Sequence, residues 1–144
     1  MTAARKLSFT VTGHPVTWNL FYAGVHWSRR KRLADRWRWA VLATVREVTD
    51  ARPVAVVTPA RLSVVVHYER GKRFDLDNVW LKPLLDVLVQ EGIIPDDNVD
   101  HIREIHLSAI PAAHPALTVT LETITEHRQP LDKPPEIQYN RTEP

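Results

Sequence analysis

The sequence predicts a single small α+β domain whose elements run β-α-β-α-β-β through a mixed sheet. Three observations predict it. Apolar residues alternate over 7–12, 61–68 and 116–124, the two-residue period of half-buried strands. Residues 29–49 and the stretch after Leu81 instead carry apolar residues at helical spacing. With 144 residues, 44% of them hydrophobic, the chain has the size of one domain and can form a core without staples.

In residues 7–12, Leu7, Phe9 and Val11 share one face, and Gly13 and Pro15 end the strand. Residues 16–27 are aromatic-rich without a clean period and read as a loop. Trp18, Tyr22 and Trp27 there are either base-stacking or packing aromatics. Ser28 is the expected N-cap of a helix over 29–49, with Leu33, Trp37, Val41, Val45 and Val48 as its apolar stripe. The first turn of that helix, Arg29, Arg30, Lys31 and Arg32, opposes the helix dipole at a cost of roughly a few tenths of a kcal/mol each. Phosphate groups would offset this, so the four are expected DNA contacts; the alternative is a solvated charged face.

Residues 51–60, with Pro53 and Pro59, read as a connection, and 61–68 as a central, largely buried strand in which His67 is structural. A charged turn at 69–73 contains Gly71. Leu81, Leu84, Leu85 and Leu88 form the stripe of a second helix. Pro83 keeps its start no earlier than about Trp80, and Gly92 ends it. A strand over 99–110, a turn at Pro111–Pro115 and a strand over 116–124 are expected to form a hairpin. One crossover helix then lies on each side of the central strand. The domain is expected to span 1–125, and the polar, proline-containing 126–144 to be extended or disordered.

The chain has no cysteine, which excludes disulfides, zinc–thiolate sites and cysteine catalysis. It has no apolar run of membrane-spanning length and no signal-peptide pattern, so we read it as soluble and cytoplasmic, with no membrane partner. Residues 1–52 carry ten Lys+Arg against three Asp+Glu, and 53–144 nine against fourteen. A half of net +7 therefore adjoins one of −5 within the total of +2. That asymmetry suits a polyanionic partner together with a divalent cation, although surface charge also varies along any chain.

The acidic half concentrates in residues 73–100, RFDLDNVWLKPLLDVLVQEGIIPDDNVD. Asp75 and Asp77, alternating on an extended backbone, would reach one side. A carboxylate from the 96/97 turn would complete a set of three hard oxygen ligands, suited to Mg²⁺ or Mn²⁺ rather than zinc. Carboxylate clusters of this kind serve metal-assisted phosphodiester hydrolysis, with Lys82 placed to neutralise charge on the phosphate. Each part also has a plainer reading. Paired Asp is common at turns, Asn78 suits an Asx-turn, and Asp86 is the i+4 partner of Lys82.

The order DxDN, then a lysine and an aspartate on the following helix, then glycine, then DD with an apolar residue resembles the RusA family of Holliday junction resolvases. RFDLDN, LKPLLDVL, Gly92 and PDDNV carry the resemblance over 75–99, and Asn19 and the HWSRR segment at 26–30 extend it more loosely. The resemblance implies a RusA-like fold and a homodimeric, Mg²⁺-dependent endonuclease that nicks four-way DNA junctions at two symmetric strands. By the same resemblance the catalytic carboxylates are Asp75, Asp77 and Asp97, the catalytic lysine is Lys82, and Asn78, Asp86 and Asp96 are supporting. Arg73 joins Arg29–Arg32 among the expected DNA contacts. In one place the pattern departs: Val79, Trp80 and Leu81 separate the asparagine from the lysine, where the family has two residues. The added residue either lengthens the turn or enters the helix, where it would rotate Lys82 by about 100°. Two other readings stand beside this one. They are a metal nuclease of the same fold acting on other branched DNA, and a junction-binding module without turnover.

Overall fold

The computed structural model describes residues 2–19 and 24–125. The expected tail at 126–144 and Tyr22 lie outside them.

Among the described residues, the architecture is a mixed four-stranded sheet covered on one face by two long helices. Strand β1 is Thr2–Ala4 and β2 is Lys6–Thr12, followed by helix α1, Trp27–Val48. Strands β3 (Val54–Val56) and β4 (Ala60–Glu69) come next, then a 3₁₀ turn at Leu76–Asn78 and helix α2, Lys82–Gln90. Strands β5 (Ile102–Ala112) and β6 (Ala116–Thr123) close the domain. The main sheet has the order β2-β6-β4-β5, with β4–β5 parallel and the other two pairs antiparallel.

Strand alternation separates the two faces. Leu7, Phe9 and Val11 of β2, Leu62, Val64 and Val66 of β4, and Leu117, Val119 and Leu121 of β6 are all buried. They pack with Trp37, Val41, Leu42 and Val45 of α1 and with Leu84, Leu85, Val87 and Leu88 of α2. The opposite face carries Ser8, Thr10, Ser63, Thr118 and Thr120, tied across strands by Ser8–Thr120 at 2.9 Å and Thr10–Thr118 at 3.0 Å. One helix does precede the central strand β4 in the chain and one follows it. Both lie against the same face, because only that face is apolar.

Four expectations need correction. The hairpin of 99–110 with 116–124 does not form, because β4 lies between β5 and β6. Val64 pairs with Leu107 on one side and Val119 on the other. Skipping a strand means crossing about 10 Å, which the short link from Ala112 to Ala116 can span. Alternation alone cannot distinguish such a split pair from a hairpin. The expected turn at Pro111 is instead strand. The Ala112 carbonyl accepts from Arg70 N at 3.2 Å, so the neighbouring backbone position faces outward from edge strand β5. A proline is tolerated there.

Residues 51–60 are not only a connection, since β3 pairs in parallel with β1 through Thr2–Val54 and Ala4–Val56. Three-residue strands are too short to show a period. Finally, Ser28 is not the N-cap of α1. His26 is, its Nδ1 accepting from Ser28 N at 3.4 Å, so the helix starts two residues earlier than expected.

Helix α2 ends as Gly92 predicts. Gly92 has φ +69°. Its N–H bonds the Val89 carbonyl at 3.0 Å, and Ile93 N–H bonds that of Leu88 at 2.9 Å. These are the two bonds of a Schellman ending, with Ile93 and Leu88 both buried beneath it. The chain thereby turns toward Asp96 and Asp97. Among the described residues, no helix is long and apolar enough to cross a membrane.

Candidate functional site

The candidate site residues lie on two short segments and on the first residue of α2. After β4, Phe74 stacks on Tyr68, their ring centroids 6.1 Å apart, and anchors the chain before Asp75. Asp75 is extended (φ −102°, ψ 117°), but Asp77 lies within the 3₁₀ turn. The expected extended alternation of the two aspartates is therefore replaced by a turn, closed by Asn78 N–H to the Asp75 carbonyl at 3.1 Å. Asp and Asn favour such turns. Asn78 also accepts a 2.8 Å bond from Asn19 N through Oδ1, which holds the 18–19 segment against the turn. Trp18, Asn19, Asp75, Asp77 and Asn78 line a cleft of about 320 Å³.

Val79, Trp80 and Leu81 all precede α2. Val79 is buried and bridges Thr17, Trp80 N–H bonds the Val16 carbonyl at 3.0 Å, and Leu81 is the N-cap. The three residues between Asn78 and Lys82 thus all lie in the connector, and the helix begins at Lys82.

The second segment is built by its own polar side chains. Asp96 accepts from Asp97 N at 2.7 Å and from Asn98 Nδ2 at 2.8 Å, and Asn98 accepts from Asp100 N at 3.0 Å. Asp96 therefore shapes the turn that presents Asp97. Lys82 Nζ donates to Asp97 Oδ2 at 2.6 Å and lies 3.0 Å from Asp86 Oδ1. Asp86 in turn pairs with Arg38 of α1. The hydrogen bond from Lys82 holds the Asp97 carboxyl below its ordinary range. The bonds to Asp97 and then Asp86 push the Lys82 ammonium above its own. Near neutral pH, Lys82 is thus a cation and Asp97 an anion.

Among the described residues, no group of three or more acidic or histidine side chains stands close enough to hold a metal ion. Asp97 is engaged by Lys82 instead of standing with Asp75 and Asp77. The latter two pair with no lysine or arginine among the described residues. Two hard carboxylates in a polar cleft fit Mg²⁺, which commonly takes one or two protein carboxylates and completes its shell with water and substrate phosphate.

Of the expected DNA contacts, Arg29, Lys31 and Arg32 are exposed at the start of α1, Arg30 is half-buried there, and Arg73 is exposed just before Asp75. Arg38 and Trp80 were not singled out by sequence. Arg38 lies 48 residues from the aspartate it binds, a separation without any local signal. No protein-family model matches the chain, and no curated protein matches it.

Proposed function

We propose that the protein is a metal-dependent endonuclease that cuts four-way DNA junctions, as its RusA-like pattern implies, and that it works as a homodimer. The observation that carries this reading is the Lys82–Asp97 bond at 2.6 Å. It ties together the two halves of the motif, which are separate in sequence, and Lys82 follows the Asp75–Asp77 turn by five residues.

Each side chain then has a role set by its charge. Asp75 and Asp77 would hold Mg²⁺, with Asn78 and Asn19 fixing the cleft. When bound, the cation supplies charge neutralisation at the phosphate and a more acidic water. Lys82 stays protonated and stabilises negative charge on the phosphate, so it is not a general base. Asp97 keeps that ammonium charged and aimed, assisted by Asp86, whose other partner Arg38 fixes α1 against α2. Paired cuts on symmetric strands require two such sites related by a two-fold axis, hence the dimer.

Mn²⁺ binding, followed by water-proton relaxation, tests the cation site directly. Saturable binding that is lost in Asp75→Asn and Asp77→Asn supports the reading. Equal binding by wild type and both variants would remove these aspartates from it.

A further inference from the structure

We propose that Arg38 of α1 is a positioning residue for Lys82, acting through Asp86 to keep the ammonium on Asp97 with a charge to offer a phosphate. This role deepens the proposed function and rests on it for the phosphate. Where the Lys82 side chain points does not depend on that function.

The Asp86 carboxylate is divided between two cations. Its Oδ1 lies 3.0 Å from Lys82 Nζ, and its Oδ2 takes the Arg38 guanidinium. Asp35, three residues before Arg38 on the same helix, is held by Lys31 at 2.5 Å and leaves Arg38 to Asp86. Of the two carboxylates at Lys82, the nearer is Asp97, at 2.6 Å, although Asp86 stands one turn away on the same helix. A lysine preceding its acid at i, i+4 is the weaker order on a helix. A guanidinium on the second oxygen weakens the pull of Asp86 further. Both effects leave the ammonium on Asp97.

Arg38 also balances charge. Lys82 and Arg38 stand against Asp86 and Asp97, two cations against two carboxylates. Among the described residues, two of the three ammonium donors are directed at Asp97 and Asp86. Lys82 is 55% exposed, so its third donor can meet an incoming oxygen. Without Arg38, one ammonium would stand between two carboxylates, and the set would repel a phosphate. Asp86, with both oxygens released, would compete with Asp97 for the same N–H groups.

Clamping α1 to α2 is not all that the Arg38–Asp86 pair does. The two helices already share the apolar core through Trp37, Val41 and Leu42 with Leu84 and Leu88. Arg46 of α1 and Glu91, the C-cap of α2, form a second ion pair at 3.0 Å. Partly exposed pairs of this kind add little stability. Arg46 therefore serves as a control: it joins the same two helices through another carboxylate.

The test is a set of crystal structures of the whole protein without metal, as wild type, Arg38→Gln, Arg38→Lys and Arg46→Gln. Glutamine keeps a donor and loses the charge. Lysine keeps the charge, and Arg38 uses a single nitrogen on Asp86, so lysine can take its place. In Arg38→Gln, Lys82 Nζ should turn to Asp86 and its contact with Asp97 should open beyond about 3.2 Å, the limit of a good hydrogen bond. Arg38→Lys and Arg46→Gln should keep Lys82 on Asp97. On a four-way junction in Mg²⁺, Arg38→Gln should lower kcat about tenfold or more with KM within about threefold, and Arg38→Lys should restore most of it. Lys82 unmoved in Arg38→Gln, or displaced equally in Arg46→Gln, would overturn the proposal, as would an unchanged kcat in Arg38→Gln. A wild type that leaves the junction uncut would remove the nuclease reading, while the position of Lys82 would still decide the role of Arg38.

Discussion

Lys82 and Asp97 meet at 2.6 Å across fifteen residues of chain, and this contact couples the start of α2 to the turn that follows it. Both side chains retain exposure, 55% for Lys82 and 25% for Asp97, so the pair is at the surface and its contribution to stability is small.

Replacing Asp97 should therefore separate function from folding. Asp97→Asn is expected to lower the unfolding free energy by less than about 1 kcal/mol, the range for exposed ion pairs. Cleavage should fall by about 10²-fold or more, comparable to losing a preorganised charge-stabilising group. Urea unfolding and a single-turnover cleavage assay check the two halves. A loss of several kcal/mol would make Asp97 a structural residue instead.

The same pair predicts a pH behaviour. The Asp97 carboxyl titrates lower in the folded protein than in the unfolded chain. Its stabilisation is complete above about pH 4, the unfolded carboxyl value, and is lost as pH falls through the folded one. The Lys82 ammonium titrates higher when folded, so its contribution is complete below about pH 10 and is lost as pH rises through the folded value. A carbon-13 NMR titration of the metal-free protein should place the Asp97 carboxyl midpoint below about 3.9. Asp97→Asn should return the Lys82 midpoint toward about 10.4.

The basic start of α1 makes a prediction about salt. Changing Arg29, Arg30, Lys31 and Arg32 to alanine should weaken junction binding and flatten the plot of log K against log salt. The slope should change by about 0.9 for each phosphate contact removed. An unchanged slope would show that this end of α1 does not face DNA.

The core offers a control with no functional content. Leu62, in the middle strand, has no exposed surface. Leu62→Ala should cost about 2–5 kcal/mol by creating a cavity. Gly92→Ala meets no neighbour within 4 Å, but its φ of +69° is strained for an L residue. It should cost about 1 kcal/mol. Chemical denaturation measures both.

These elements were unequally legible in the sequence. The strands β2, β4 and β6 and both helices follow from periodicity, because burial of one face imposes it. Pro83 and Gly92 marked the two ends of α2 by backbone chemistry alone. The partnership of β5 was not legible, since the same alternation serves a hairpin or a pair split by β4. Strands β1 and β3 were too short to show a period. The candidate site residues stand out in the sequence because they cluster in two segments. Their contacts were less legible: the 3₁₀ turn at Asp77 broke the expected alternation, and Arg38 reaches Asp86 only through helix packing.

The most direct measurement of the central claim is incubation of a labelled synthetic four-way junction with the protein, in Mg²⁺ or EDTA, beside a linear duplex and a flap. The account predicts paired symmetric nicks on the junction, dependent on Mg²⁺ and abolished by Asp77→Asn. Uncut junction in Mg²⁺, or cutting that persists in EDTA or in Asp77→Asn, would contradict it.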